Sequence, residues 1–258
     1  MNERLSNLSE NLSETSNQTS LILKSPPIIT NDLKYEILKE NNPHFDLSFK
    51  IILVGNSGVG KSCLSLKATK NIFDVNYNET IGFEFFDFNV CFENKERIKL
   101  QIWDTCGQEI YRSFISNFYR NSSLAIIVYS IDDKNSFDDV EVWLKELKLK
   151  SSPDIKIFLI GNKADLEEER QVTYEEGEQL KNFYDILYFK ETSAKTGLNV
   201  TEVFVEAAKL LYKDYFKYKT MKRVILPKNH NKFSNIKLNK RIIIEKKNND
   251  KQKRDTCC

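Results

Sequence analysis

Apolar residues gather in short runs through the middle of this chain and thin out towards both ends. Phe49–Val54 (FKIILV) is one such run, rich in branched residues, and Ile155–Gly161 (IKIFLIG) is another. Unbroken apolar runs of strand length suit central parallel strands, which are buried on both faces. Residues 84–92 and 97–103 flank a polar Asn94-Lys95-Glu96 turn and read as a hairpin, so one edge strand should be antiparallel. Cys63–Ala68 reads as a helix with Leu64 and Ala68 on one face. Val200, Val203, Phe204, Ala207, Ala208 and Leu211 repeat at helical spacing and predict the core face of a late helix. Thr173-x-x-Glu176 has the form of a capping box, opening the helix before it. Strands alternating with helices predict an α/β domain on a mainly parallel sheet. No apolar stretch exceeds strand length, so none is long enough to span a bilayer.

The ends have a different composition. The first 47 residues are rich in Ser, Asn and Glu and carry Pro26, Pro27 and Pro43. Such a segment buries too little apolar surface to fold alone and is expected to be disordered. The competing reading is a brief amphipathic helix over residues 31–40 through Leu33, Ile37 and Leu38. From Met221 onward, twelve Lys or Arg face three acids, a net +9 in a chain that carries only +2 overall. That asymmetry points to an anionic surface as partner. The expected division is a disordered extension over 1–47, one folded domain over 48–220 and a basic tail over 221–258. Five cysteines, three of them scattered at 63, 91 and 106, make no disulfide framework. With no signal peptide, that usage points to a reducing compartment.

Two motifs carry the chemistry. Gly55-Asn56-Ser57-Gly58-Val59-Gly60-Lys61-Ser62 has the form G-x-x-x-x-G-K-[ST] and lies between the strand at 49–54 and the helix at 63–68. Its glycines let successive backbone N–H groups close around phosphate oxygens. The helix N-terminus beyond them adds partial positive charge. Lys61 supplies a full charge for the β- and γ-phosphates, and the Ser62 hydroxyl can ligate Mg²⁺. Asn162-Lys163-Ala164-Asp165 follows the strand at 155–161, at the end where ligands of such sheets bind. A carboxylate at Asp165 can accept from guanine N1–H and the 2-amino group, neither of which adenine offers. The Lys163 stem can lie along the base plane. Together the motifs turn nucleotide binding into binding of GTP and GDP.

At these residues the chain resembles the Ras superfamily of small GTPases and, within it, the Rab branch. Trp103-Asp104-Thr105-Cys106-Gly107-Gln108-Glu109 is similar to the family's W-D-T-A-G-Q-E. Thr80-Ile81-Gly82-Phe83-Glu84-Phe85 resembles the Rab effector loop, and Ile98–Trp103 the Rab strand K-L-Q-I-W. Glu191-Thr192-Ser193-Ala194-Lys195 matches the family's second base loop. The likeness covers about residues 48–218. It implies a single P-loop NTPase domain with a six-stranded sheet, one antiparallel edge strand and helices on both faces.

The likeness also implies roles. The nucleotide would be held by residues 55–62 with Cys63 following, by Phe73 near the base, and by Asn162, Lys163, Asp165, Ser193, Ala194 and Lys195. Mg²⁺ would be held by Ser62, Thr80 and, through water, Asp104. Gly107 would sense the γ-phosphate, and Gln108, helped by Lys61, would act in hydrolysis. Ile81, Gly82, Phe83, Phe85, Trp103 and Tyr111 would form the effector surface. One departure stands out, because Cys106 takes a position usually held by Ala. A small thiol packing in place of a methyl is the plain reading, and altered or redox-sensitive hydrolysis the sharper one.

The chain closes on Cys257-Cys258, similar to the Rab ending that receives two geranylgeranyl groups. Two lipid chains are what stable anchoring requires, and the basic tail adds attraction to an anionic leaflet. Adjacent cysteines suit a tetrahedral zinc site poorly, and a tail with Phe233 as its main aromatic suits nucleic acid poorly. The resemblance implies an exchange factor, an activating protein, an escort for the lipidated form, and effectors in vesicle transport. It places the protein on the cytoplasmic face of an intracellular membrane, cycling with cytosol. A module that holds GTP without hydrolysing it, an ATP-using P-loop enzyme, and a Ras or Rho relative are the alternatives.

Overall fold

The computed structural model describes residues 33–38, 44–74, 80, 82–105 and 118–225. The expectations for Ile81, Cys106, Gly107, Gln108, Tyr111, Cys257 and Cys258, and those for residues 1–32 and 226–258, lie outside the described residues.

Seven strands form one sheet: β1 (Tyr35–Ile37), β2 (Leu47–Val54), β3 (Phe83–Phe92), β4 (Arg97–Thr105), β5 (Leu124–Ser130), β6 (Lys156–Asn162) and β7 (Tyr188–Glu191). Their order across the sheet is β1-β3-β4-β2-β5-β6-β7. From β4 to β7 all neighbours are parallel, while β3 is antiparallel to both β4 and β1. The helices are α1 (Lys61–Lys70), α2 (Lys134–Asp138), α3 (Val140–Lys150), α4 (Tyr174–Tyr184) and α5 (Val200–Ile225).

Alternating side chains of the central strands feed two cores. Ile51, Leu53, Ile126, Val128 and Ile160 face α1 and the Val200, Val203, Phe204, Ala207, Ala208 and Leu211 stripe of α5. Ile52, Val54, Ile127, Tyr129 and Leu159 face Phe137 of α2 and Val140, Trp143, Leu144 and Leu147 of α3, with Leu180 and Tyr184 of α4 at the margin. Every residue of β5 is buried, which explains why its sequence is an apolar run with no alternation. The hairpin forms as its polar turn predicts, with Lys95 in the left-handed region (φ 64°) and Phe92 N–H donating to Glu96 O at 3.0 Å. The capping box of α4 is complete: Glu176 N–H donates to Thr173 Oγ1 and Thr173 N–H to Glu176 Oε2 at 2.8 Å.

One expectation is overturned. Residues 33–38 are neither disordered nor helical: β1 adds a seventh strand, outside the antiparallel strand β3. Tyr35, Glu36 and Ile37 pair with Phe92, Cys91 and Val90. The ladder extends through Leu38 N–H to Asn89 O at 2.9 Å and Glu93 N–H to Lys34 O at 3.0 Å. Leu33 is buried in the core that α5 covers, and the Lys209 ammonium of α5 sits over the Tyr35 ring. Asn94 of the hairpin turn donates to Tyr212 Oη of α5. The open edge of β3 supplies the hydrogen-bonding partners this segment lacks on its own, and Leu33 supplies the burial. Likewise Leu47 belongs to β2, and α5 continues past residue 220 to Ile225.

Candidate functional site

The site lies beyond the carboxyl ends of β2, β4, β6 and β7, as doubly wound sheets require. The chain leaves β2 at Gly55 with φ 141°, so close to β5 that a Cβ there would lie 2.1 Å from Val128 O. Only glycine permits that approach. Gly60 (φ 94°) caps α1 with no side chain, and a Cβ there would lie 2.4 Å from Asn162 Nδ2. Gly60 offers α1 no side-chain cap, and the helix N-terminus adds partial positive charge beside the loop. Lys61 is almost fully buried and folds back over the loop, donating from Nζ to Gly55 O at 2.8 Å and Asn56 O at 2.7 Å. Its charge therefore stands inside the concavity.

Ser62, Thr80 and Asp104 converge. Ser62 Oγ is 2.7 Å from Thr80 Oγ1, and it donates to Asp104 Oδ2. Asp104 is fully buried, and its Oδ1 has no hydrogen-bond partner among the described residues. Burial pushes its carboxyl up to about 6, against the downward pull of Ser62 and Lys61. A buried carboxylate beside two hydroxyls is a hard-oxygen donor set suited to a divalent cation. One carboxylate with room for phosphate oxygens and waters fits Mg²⁺.

Asn162 connects the phosphate loop to the base loops. Its Nδ2 donates to Val59 O at 2.9 Å, and its Oδ1 accepts from Thr192 Oγ1 at 3.2 Å and Ala194 N–H at 3.3 Å. The structure thus gives Asn162 a bridging role between the loops. Lys163, in the left-handed region (φ 66°), pairs with Asp132 at 3.4 Å. Asp165 Oδ1 accepts from Ser193 Oγ at 2.5 Å, and its Oδ2 lies 3.6 Å from Lys195 Nζ. The two base loops are therefore joined at the carboxylate expected to read guanine. Cys63 sits half-buried close by; burial, with Asp104 and Asp74 adding to it, pushes its thiol up, and Lys163 pulls it back. Phe73 is half-buried and packs against the core cluster that includes Ala194 of the second base loop.

Three contributors were not read from the sequence. Arg170 forms a double contact to Glu191, at 2.7 and 2.8 Å, and a second to Glu167. Those carboxylates hold the guanidinium well above its ordinary range. Arg170 thereby fixes the residue that enters the Thr192–Lys195 loop. Twenty-one positions separate the pair, and no local pattern marks it. The other two lie on the expected effector surface. Phe83 and Phe85 are about half exposed, and both rings pack on Trp103 at 5.5 Å. Phe118 joins them, at 4.7 Å from Phe83 and 5.4 Å from Trp103. Lys50 Nζ sits 4.3 Å over the Trp103 ring, and burial pulls its ammonium below the usual value. The result is an exposed aromatic platform with one cation beneath it, next to Gly82 and Thr80.

Among known families, the model described as Ras family matches this chain over residues 50–213.

Proposed function

Since that match spans well over half of its length, the chain belongs to the Ras family, and on this premise we propose that it is a Rab-type switch, anchored by C-terminal lipids and recruiting effectors in vesicle transport. Membership makes it a small GTPase, of a family whose members bind guanine nucleotides with Mg²⁺ and work with exchange factors, activating proteins and effectors. The observation that carries the reading is the linkage of both motifs through Asn162, with Asp165 held between Ser193 and Lys195.

The residues divide the work as follows. The Asp165 carboxylate accepts two hydrogen bonds from guanine and is left unpaired by adenine, a difference of roughly 10⁴-fold or more in such sites. Loop N–H groups from residue 57 onward and Lys61 neutralise the phosphates. Ser62, Thr80 and, through water, Asp104 would hold Mg²⁺, which would offset negative charge on the phosphates. Thr80 belongs to the segment entering β3, so holding or releasing it moves the strand entrance on which Phe83 and Phe85 stand. Loss of the γ-phosphate frees that segment, together with the loop around Gly107, and partners distinguish the two shapes. Gln108 orients the attacking water, and no arginine finger is evident in the sequence. Unaided hydrolysis is then slow, on the order of 10⁻⁴ s⁻¹, until an activating protein assists.

The Rab assignment is supported by Ile81-Gly82, by Lys99-Leu100-Gln101, by the Phe83, Phe85 and Trp103 platform, and by Cys257-Cys258 after a basic tail. Imaging the tagged protein with and without Cys257 and Cys258 tests the anchoring. An organelle-restricted parent and a diffuse variant are expected, and a diffuse parent removes the anchor. The rival reading, GTP retention without turnover, rests on Cys106 alone. Single-turnover phosphate release separates the two.

A further inference from the structure

The phosphate loop is tethered to α3 by a side chain that the nucleotide chemistry does not use. Asn56 Oδ1 accepts from Trp143 Nε1 at 3.0 Å, and Asn56 Nδ2 donates to Asp139 Oδ2 at 2.6 Å. The orientation of this amide follows from the partners. An indole N–H only donates and a carboxylate only accepts, so the flipped amide would set donor against donor and acceptor against acceptor. Trp143 is buried in the α2–α3 core, and Asp139 is the residue joining α2 to α3. The anchor points are thus part of the packed body of the molecule. The same residue's backbone carbonyl accepts from Lys61 Nζ at 2.7 Å. The position of Asn56 therefore sets where the phosphate-binding ammonium rests and where the run of loop N–H groups begins.

We infer that Asp139 and Trp143 are positioning residues for guanine nucleotide retention, acting through the Asn56 side chain to hold the phosphate loop preorganised from α3. The inference rests on the small-GTPase reading above and adds a determinant to it. A loop held open by contacts outside the pocket offers its donors to phosphate without first being ordered. Breaking the tether frees the limb from Gly55 to Gly58 and shortens the nucleotide's residence. It also makes α3 a route by which a partner bound to that helix can alter release.

The pair can be exchanged to test this. Asn56→Asp opposes two carboxylates and should release a fluorescent GDP analogue, in Mg²⁺ buffer, about tenfold faster than the parent. Asp139→Asn keeps an acceptor, because its amide can present oxygen, and should accelerate release by less than about threefold. The exchanged double variant places a carboxylate at 56, which accepts from both Trp143 and the new amide at 139, and should recover most of the parental retention. An Asn56→Asp variant that releases at the parental rate, or a double variant as fast as Asn56→Asp, overturns the inference. If Asn56→Asp fails to fold, Asn56→Ala serves in its place. Faster release, together with a shifted Trp143 indole N–H resonance, supports the tether, and parental release overturns it. A parent that never retains the GDP analogue refutes the small-GTPase reading itself; one that retains it while every variant matches it refutes the tether alone.

Discussion

At the scale of single residues, two positions lead to predictions about nucleotide binding. The Asp165 carboxylate joins the two base loops, through Ser193 and Lys195. Asp165→Ala removes two charge-assisted hydrogen bonds to guanine, and competition titrations should show GDP binding weakened about a hundredfold or more. Gly60 is constrained twice, by φ 94° and by Asn162 Nδ2 at 2.4 Å from a would-be Cβ. Gly60→Ala must displace Asn162 and with it the bonds to Val59, Thr192 and Ala194. Fluorescent-nucleotide binding should fall by at least about tenfold while the melting temperature of the nucleotide-free chain drops only modestly. The motif residues were legible because their chemistry is dictated by the ligand at fixed spacing. Arg170, Lys50 and Phe118 were not, because each acts through a partner brought near by the sheet.

At the scale of elements, local signals served where an element is self-contained. The α4 capping box and the β3–β4 hairpin turn were both readable, because their hydrogen bonds close within a few residues. Glu176 adds a bond from Lys134 Nζ at 2.7 Å, and that bond together with the Thr173 backbone holds its carboxyl down to about 2. A carboxyl lowered on folding contributes stability above its unfolded value, about 4.3, and that contribution fades as pH falls towards about 2. Glu176 is a surface group, so the effect is small. Glu176→Gln should lower the melting temperature by about 1–3 °C at pH 7 and leave it unchanged near pH 2. β1 is the opposite case. Tyr-Glu-Ile is too short for a periodic signal, all three residues are exposed, and the strand exists because β3 offers an edge. Deleting residues 1–38 uncovers that edge and empties the Leu33 position. Thermal scans should show a loss of several degrees, and light scattering a rise in self-association.

For the whole molecule, the site is where separate parts of the sheet meet, so ligand and fold are linked. Nucleotide that binds only the folded state should raise the melting temperature in proportion to the logarithm of its concentration. At a thousand times its dissociation constant the gain is about 4 kcal/mol. Chelating the divalent ion with EDTA should remove a large part of that increment, because the buried Asp104 carboxylate would then stand uncompensated near the phosphates, with the Ser62 and Thr80 hydroxyls beside it. The α/β class was plain from alternating patterns, since each strand and helix has its own period. The strand count was not, because the seventh strand depends on a pairing that spans more than fifty positions.

That pairing has a bearing on how the first strand and the last described helix relate. Lys34 is bonded to Glu93 in the hairpin turn, and the neighbouring Asn94 is bonded to Tyr212 of the last helix. β1 and the middle of α5 are thus linked through one hairpin turn. Anything that displaces β1 therefore disturbs the turn against which α5 rests, so deuterium uptake at that turn should report on whether the strand is seated.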